Sequence, residues 1–183
     1  MDRHSQDDHI DHGAVPAERI AFVAAAWHRD IVERGRAAFA AELARRGQPP
    51  DTVEFFEVPG SFEIPLHAQI LAKSGRYAAV VAAGFVVDGG IYRHEFVAAT
   101  VLEALMRVQL DTGVPVISMV LTPQRFHEHD EHRRFFREHF VIKGTEAATA
   151  CLETIAALKR VNLLRASPPR RLARRRPEAR AAS

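Results

Sequence analysis

The stretch "GFVVDGGIYRHEFVAAT", residues 84–100, places two glycines and then Tyr92, Arg93, His94 and Glu95 between an apolar run and a helical pattern. Gly89 and Gly90 let the backbone turn tightly and approach a ligand with no Cβ in the way. A helix starting near Tyr92 would point unpaired N–H groups and the positive end of its dipole at the same place. Arg93 adds a permanently charged fork suited to phosphate, and His94 a group that moves protons near neutral pH. The chemistry on offer is therefore anion binding beside proton transfer. On spacing alone, an ordinary strand-to-helix turn with Arg93 paired to Glu95 or another surface acid is a slightly better account. The chain holds neither a P-loop nor a G-x-G-x-x-G signature.

Two other groups have the residue types for chemistry. In "FHEHDEHRRFFREHF", His127, His129, Asp130 and His132 match no common zinc spacing and read as a solvated helix face, so no metal is expected. Cys151, the single cysteine, shares a helical stripe with Ala147, Thr154, Ile155 and Leu158. It reads as a buried small hydrophobe rather than a nucleophile, and no intrachain disulfide can form.

These groups need a scaffold. The 183 residues, 47% apolar with a formal net charge of +2, suffice for one core and one domain. Residues 1–17 are acidic and His-bearing, with His4, His9 and His12 on a segment that preorganises no metal site. Residues 164–183 carry Arg165, Arg170, Arg171, Arg174, Arg175, Arg176 and Arg180 among prolines and alanines. Both ends read as disordered tails around a domain at 18–163. No aromatic residue interleaves the arginines, so nucleic acid is not an expected partner. There is no leader-like start and no apolar run of about 20 residues, which implies a soluble cytoplasmic protein without a membrane partner.

Between the tails, apolar runs alternate with helical periodicity. "RIAFVAAAW" reads as a strand and 30–46 as a helix, followed by strand "TVEFFEVP" and helix "FEIPLHAQILAKSG". "YAAVVAAGFVV" is a strand too apolar for a wet face, the next helix carries Val97, Val101, Ala104, Leu105 and Val108, and "VPVISMVLT" is a fourth strand. After the His-rich segment a last helix is predicted over 145–161. There is no internal repeat.

Strands joined through helices of this length pair in parallel by right-handed crossovers. The predicted fold is a three-layer α/β sandwich with four central parallel strands. Ligands bind such sheets outside the carboxyl ends of the strands. Here those ends hold Trp27 and His28, then Pro59 to Glu63, then Val86 to Arg93, then Leu121 to Phe126.

The motifs "WH", "VPGSFEIP", "GFVVDGGIYRHEFVA", "VPVISMVLTP" and "KGTEAA", in this order, resemble 6,7-dimethyl-8-ribityllumazine synthase, its second, decamer-forming type in particular. The resemblance covers residues 19–161 and implies a flavodoxin-like three-layer α/β/α sandwich with a four-stranded parallel sheet ordered 2-1-3-4. It implies a cofactor-free condensation in riboflavin biosynthesis, between a ribitylated aminouracil and a phosphorylated dihydroxybutanone. It also implies homo-oligomers whose sites are shared between subunits.

Carried over position by position, the resemblance assigns Trp27 to stacking on the heterocycle, where the plain alternative is a core indole. His28 and the segment Gly60, Ser61, Phe62 and Glu63 would meet the ribityl chain, although Ser61 and Glu63 also suit a helix start. Val86 and Val87 would line the pyrimidine pocket, and Gly89, Gly90 and Ile91 would hold phosphate. Two positions depart from the family. Arg93 stands where most members have the proton-shuttle histidine, with His94 one residue later, so either can be the functional group. Ser118 stands where many members have a phenylalanine that closes the neighbouring subunit's pocket, which implies a looser pocket. Lys143 matches a lysine that reaches into the adjacent site, and His132 or Arg133 is the nearest match for a second basic residue there.

Two other classes fit the same residues. One is a paralogue that holds flavin or lumazine without making it, which would keep Trp27, Ser61 and Glu63. The other is a shell-forming assembly protein, on which Gly89, Gly90, Arg93 and Lys143 would have no use.

Overall fold

The structure, a computed structural model, describes residues 18–127 and 129–166; both predicted tails lie outside these apart from 164–166. Four strands, β1 (Ile20–Ala25), β2 (Val53–Val58), β3 (Ala79–Phe85) and β4 (Val116–Leu121), form one parallel sheet in the order β2-β1-β3-β4. That is the predicted topology. Four helices connect and flank them: α1 (Arg29–Arg45), α2 (Ile64–Lys73), α3 (His94–Thr112) and α4 (Asp130–Ala166).

The sheet's two faces follow from the alternation of side chains along each strand. Ile20, Phe22, Val81 and Ala83 point into a core closed by α1 and α4. Ala21, Val23, Val80 and Ala82 point into a second core closed by α2 and α3. Every residue of β3 is buried, because β3 sits between two strands and two helical layers. An all-apolar, small-residue strand fits no other place in the sheet.

The α1–α4 layer is drawn close by two glycines. A Cβ on Gly144 would collide with the carbonyl oxygen of Gly35 and stand 3.0 Å from the Cβ of Ala38. This contact explains a correction. The predicted last helix opens at Thr145, whereas α4 is one helix of 37 residues from Asp130, so the His-rich segment forms its first turns. "KGT" is no helix boundary here, because the glycine is a packing residue. Asp130 and Glu131 favour the true start by placing acids at the positive end of the dipole. A second, smaller correction is that α3 begins at His94, which leaves Tyr92 in the preceding loop.

Cys151 is fully buried, and burial pushes its thiol up to about 12. Among the described residues, no helix is long and apolar enough to cross a membrane, and no group of three or more His, Cys, Asp and Glu side chains is placed to hold a metal ion.

Candidate active site

The carboxyl ends of β1, β2 and β3 bring together the first part of the site. β1 ends at Ala25, the N–H of Ala26 donates to the Val58 carbonyl (2.8 Å), and Trp27 follows with its indole 70% exposed. The core-indole reading of Trp27 is thereby excluded. Its ring lies against Gly60, where a Cβ would stand 3.6 Å from Cδ2 and Cε3.

After β2 the chain makes a short 3-10 turn, Ser61–Glu63, before α2. The Gly60 N–H donates to the Glu63 carboxylate (2.8 Å), so the first turn is held by its own acid. Ser61 is buried and lies against Gly84 of β3 so closely that a Cβ there would strike its Oγ. The Ser61 hydroxyl makes no side-chain hydrogen bond among the described residues, and Phe62 beside it is exposed. Helix-start and ligand-binding roles for this segment are thus compatible: Glu63 is partly spent on structure and Ser61 is not.

The glycine loop runs from Val86, buried and donating its N–H to the Leu121 carbonyl (3.0 Å), through half-buried Val87. Gly90 has φ +75 and donates its N–H to the Asp88 carboxylate (2.7 Å). The positive φ is the reason for glycine at 90. The donor of Gly90 is satisfied within the loop, so an incoming anion would have to displace Asp88 there. Ile91 and Tyr92 stand fully in the open.

Arg93 and His94 diverge as neighbours at a helix start must. Arg93 makes no ion pair among the described residues; its guanidinium lies over the Phe96 ring, 4.4 Å from the centroid. The pairing with Glu95 allowed by the sequence is absent. His94 instead turns inward, half-buried, with Nδ1 3.7 Å from a Glu95 carboxylate oxygen, and lines a cleft with Ala98, Thr122, Pro123 and Gln124. One basic group faces outward with its donors uncommitted. The other packs against the end of β4.

Five predicted residues stand apart from this cluster. His28 caps α1 in the left-handed region (φ 55), and its ring packs edge-on against Phe85 (5.4 Å) and Phe126 (5.5 Å), on the α1–α4 side. Ser118 lies in the middle of edge strand β4, exposed, three residues before the strand's end. Arg133 donates to Asp30 (2.9 Å), which also takes two hydrogen bonds from Arg137. Burial works to raise the Asp30 carboxyl, but the hydrogen bonds and charges of Arg137 and Arg133 outweigh it and hold it below its ordinary value. Lys143 pairs with Glu146 (2.7 Å) on α4, three residues after Phe140, whose ring packs edge-on against Phe85 at the carboxyl end of β3 (5.5 Å). His132 accepts the His127 N–H on Nδ1 (3.2 Å) at the beginning of α4.

Sequence reasoning missed Phe96. The signal for Phe96 was its place three residues after Arg93, a separation that puts two side chains on one helical face. Thr122, Pro123 and Gln124 belong to the strand end expected after β4, but their nearness to His94 depends on where α3 docks.

Doubly wound parallel sheets with polar groups gathered at the carboxyl ends of their strands define the flavodoxin-like α/β proteins, and this chain is one of them. Within that class, residues 17–159 match the family model of 6,7-dimethyl-8-ribityllumazine synthase, and the chain belongs to this family. It is similar to the 6,7-dimethyl-8-ribityllumazine synthase of Rhodococcus erythropolis, 62% identical over 145 residues that span 79% of this chain and 94% of that protein. The 6,7-dimethyl-8-ribityllumazine synthase 2 of Bradyrhizobium diazoefficiens is 64% identical over 79% of this chain and 86% of its own length. The corresponding Pseudomonas syringae protein, also a synthase 2, is 54% identical over 81% and 88%.

Proposed function

We propose that the chain condenses 5-amino-6-(D-ribitylamino)uracil with L-3,4-dihydroxy-2-butanone 4-phosphate to give 6,7-dimethyl-8-ribityllumazine, phosphate and water, in the cytoplasm and without a cofactor. The observation that carries this reading, beside the family, is an exposed indole and an uncommitted guanidinium at the carboxyl ends of neighbouring strands. The first suits a flat heterocycle and the second a phosphate.

In this reading Trp27 stacks on the pyrimidine, with Val86 and Val87 beside it, and Ser61 and the turn after β2 meet the ribityl hydroxyls. Arg93 and the Gly89–Ile91 backbone hold the phosphate of the second substrate. The 5-amino nitrogen attacks the ketone carbon and water is lost to form an imine; the neighbouring carbon then gives up a proton as the C–O bond to phosphate breaks, the resulting enol becomes a ketone, and the ribitylamino nitrogen closes the ring on that carbonyl with loss of a second water. His94, beside the loop, takes and returns the protons. Holding both substrates supplies much of the rate. Residues 18–163 form the working unit.

The likeness to the synthase 2 proteins supports a site completed by Lys143 of a second copy, hence pentamers, paired as decamers. His132 or Arg133 would accompany it, and Ser118 would face the neighbouring pocket. Neither the family model nor the named relatives favour a non-catalytic binder or a scaffold. Mixing the two substrates with the purified protein and following lumazine fluorescence tests the reading; each substrate alone should give no signal.

A further inference from the structure

We infer that Phe96 is a positioning residue for the phosphorylated substrate, acting through Arg93. This rests on the reading that Arg93 binds the phosphate. Arg93 caps α3, and the Phe96 N–H closes the first turn onto the Arg93 carbonyl (3.3 Å), so the two backbones are locked together. The guanidinium then lies on the face of the ring at 4.4 Å, while the ring itself is 61% exposed.

An arginine is held in place more often by a carboxylate, and that would consume its in-plane N–H donors. Stacking on a ring holds the plane from its face and leaves every donor at the edge free for a bidentate phosphate contact. A free arginine would lose rotamer entropy when it met the anion, and a stacked one has already given up part of it. Phe96 thus preorganises the phosphate fork without touching the substrate. It also explains an aromatic side chain left in the open on the first turn of α3, where burial gives it no purpose in the core.

The test compares F96L, which keeps the apolar bulk, with F96Y, which keeps the ring face, using the full chain, both substrates, and inorganic phosphate as inhibitor. F96L should raise KM for the phosphorylated substrate and Ki for phosphate about two- to fivefold, the size of an exposed cation–π contact. KM for the pyrimidine should stay where it is, and F96Y should match the unaltered protein. In an R93A background, F96L should add nothing. Equal behaviour of F96L and F96Y, or an F96L effect that persists in R93A, would overturn the inference. If R93A alone leaves KM and Ki unchanged, the phosphate-binding reading itself fails.

Discussion

The indole of Trp27 lies against the backbone of Gly60, with room for a Cβ at 60 no nearer than 3.6 Å to the ring and only 3.0 Å from the Glu63 carboxylate. One side of the ring is therefore supported by the turn after β2, and 70% of the residue remains open to solvent. Replacing Trp27 with alanine should weaken pyrimidine or lumazine binding by about 1–3 kcal/mol, the cost of losing an aromatic platform. Thermal stability should move little. Titration calorimetry and a melting curve separate the two effects; unchanged affinity with a collapsed melting temperature would contradict the stacking role.

The divergence of Arg93 and His94 predicts different kinetic losses. R93A should mainly raise KM for the phosphorylated substrate. H94A should mainly lower kcat, by about 10²-fold or less, since proton transfer is only part of the work. Steady-state kinetics that exchanged these two phenotypes would reverse the assignment.

Much of this arrangement was legible from residue types alone. The apolar runs fixed the four strands, and "GG" followed by "RHE" marked the loop between β3 and α3, because turn chemistry and strand burial are local properties. What was not legible depends on partners distant in sequence. Asp30 and Arg133 meet across 103 positions, and only the packing of α1 on α4 brings them together. The pattern predicts a last helix from Thr145, whereas Gly144 lies within α4; its close contact with Gly35 is visible only in three dimensions. Arg93 found an aromatic ring three residues on rather than the adjacent acid, as helical geometry favours but spacing does not compel.

On the reading that Lys143 serves the site of a neighbouring copy, K143A and R93A should complement. Each homo-oligomer should be impaired, while mixed assemblies reconstituted from the two should recover part of the activity, since some sites draw Arg93 from one copy and Lys143 from another. Light scattering should show pentamers or decamers throughout. Activity that only averages the two parents would show that sites are not shared.

At the far end of α1, Glu42 takes hydrogen bonds from Arg45 (2.7 Å) and Arg46 (2.6 Å), and Arg46 also reaches Thr149 of α4 (2.8 Å). The two arginines lower the Glu42 carboxyl from 4.5 to about 2. A carboxyl lowered by folding adds stability that is complete above its unfolded value and disappears as pH falls through the folded one. The E42Q protein should therefore be less stable than the unaltered chain at about pH 6, with the gap narrowing at about pH 3. Urea unfolding at the two pH values checks this, and a gap of constant size would contradict it.

The account as a whole stands on turnover. Purified protein given both 5-amino-6-(D-ribitylamino)uracil and L-3,4-dihydroxy-2-butanone 4-phosphate should produce 6,7-dimethyl-8-ribityllumazine, seen as growing fluorescence with equimolar release of phosphate. The rate should exceed that of the uncatalysed mixture and fall when W27A or R93A replaces the unaltered chain. Tight binding of the lumazine with a rate no faster than the substrates show on their own would contradict the account and leave a protein that holds the product without making it.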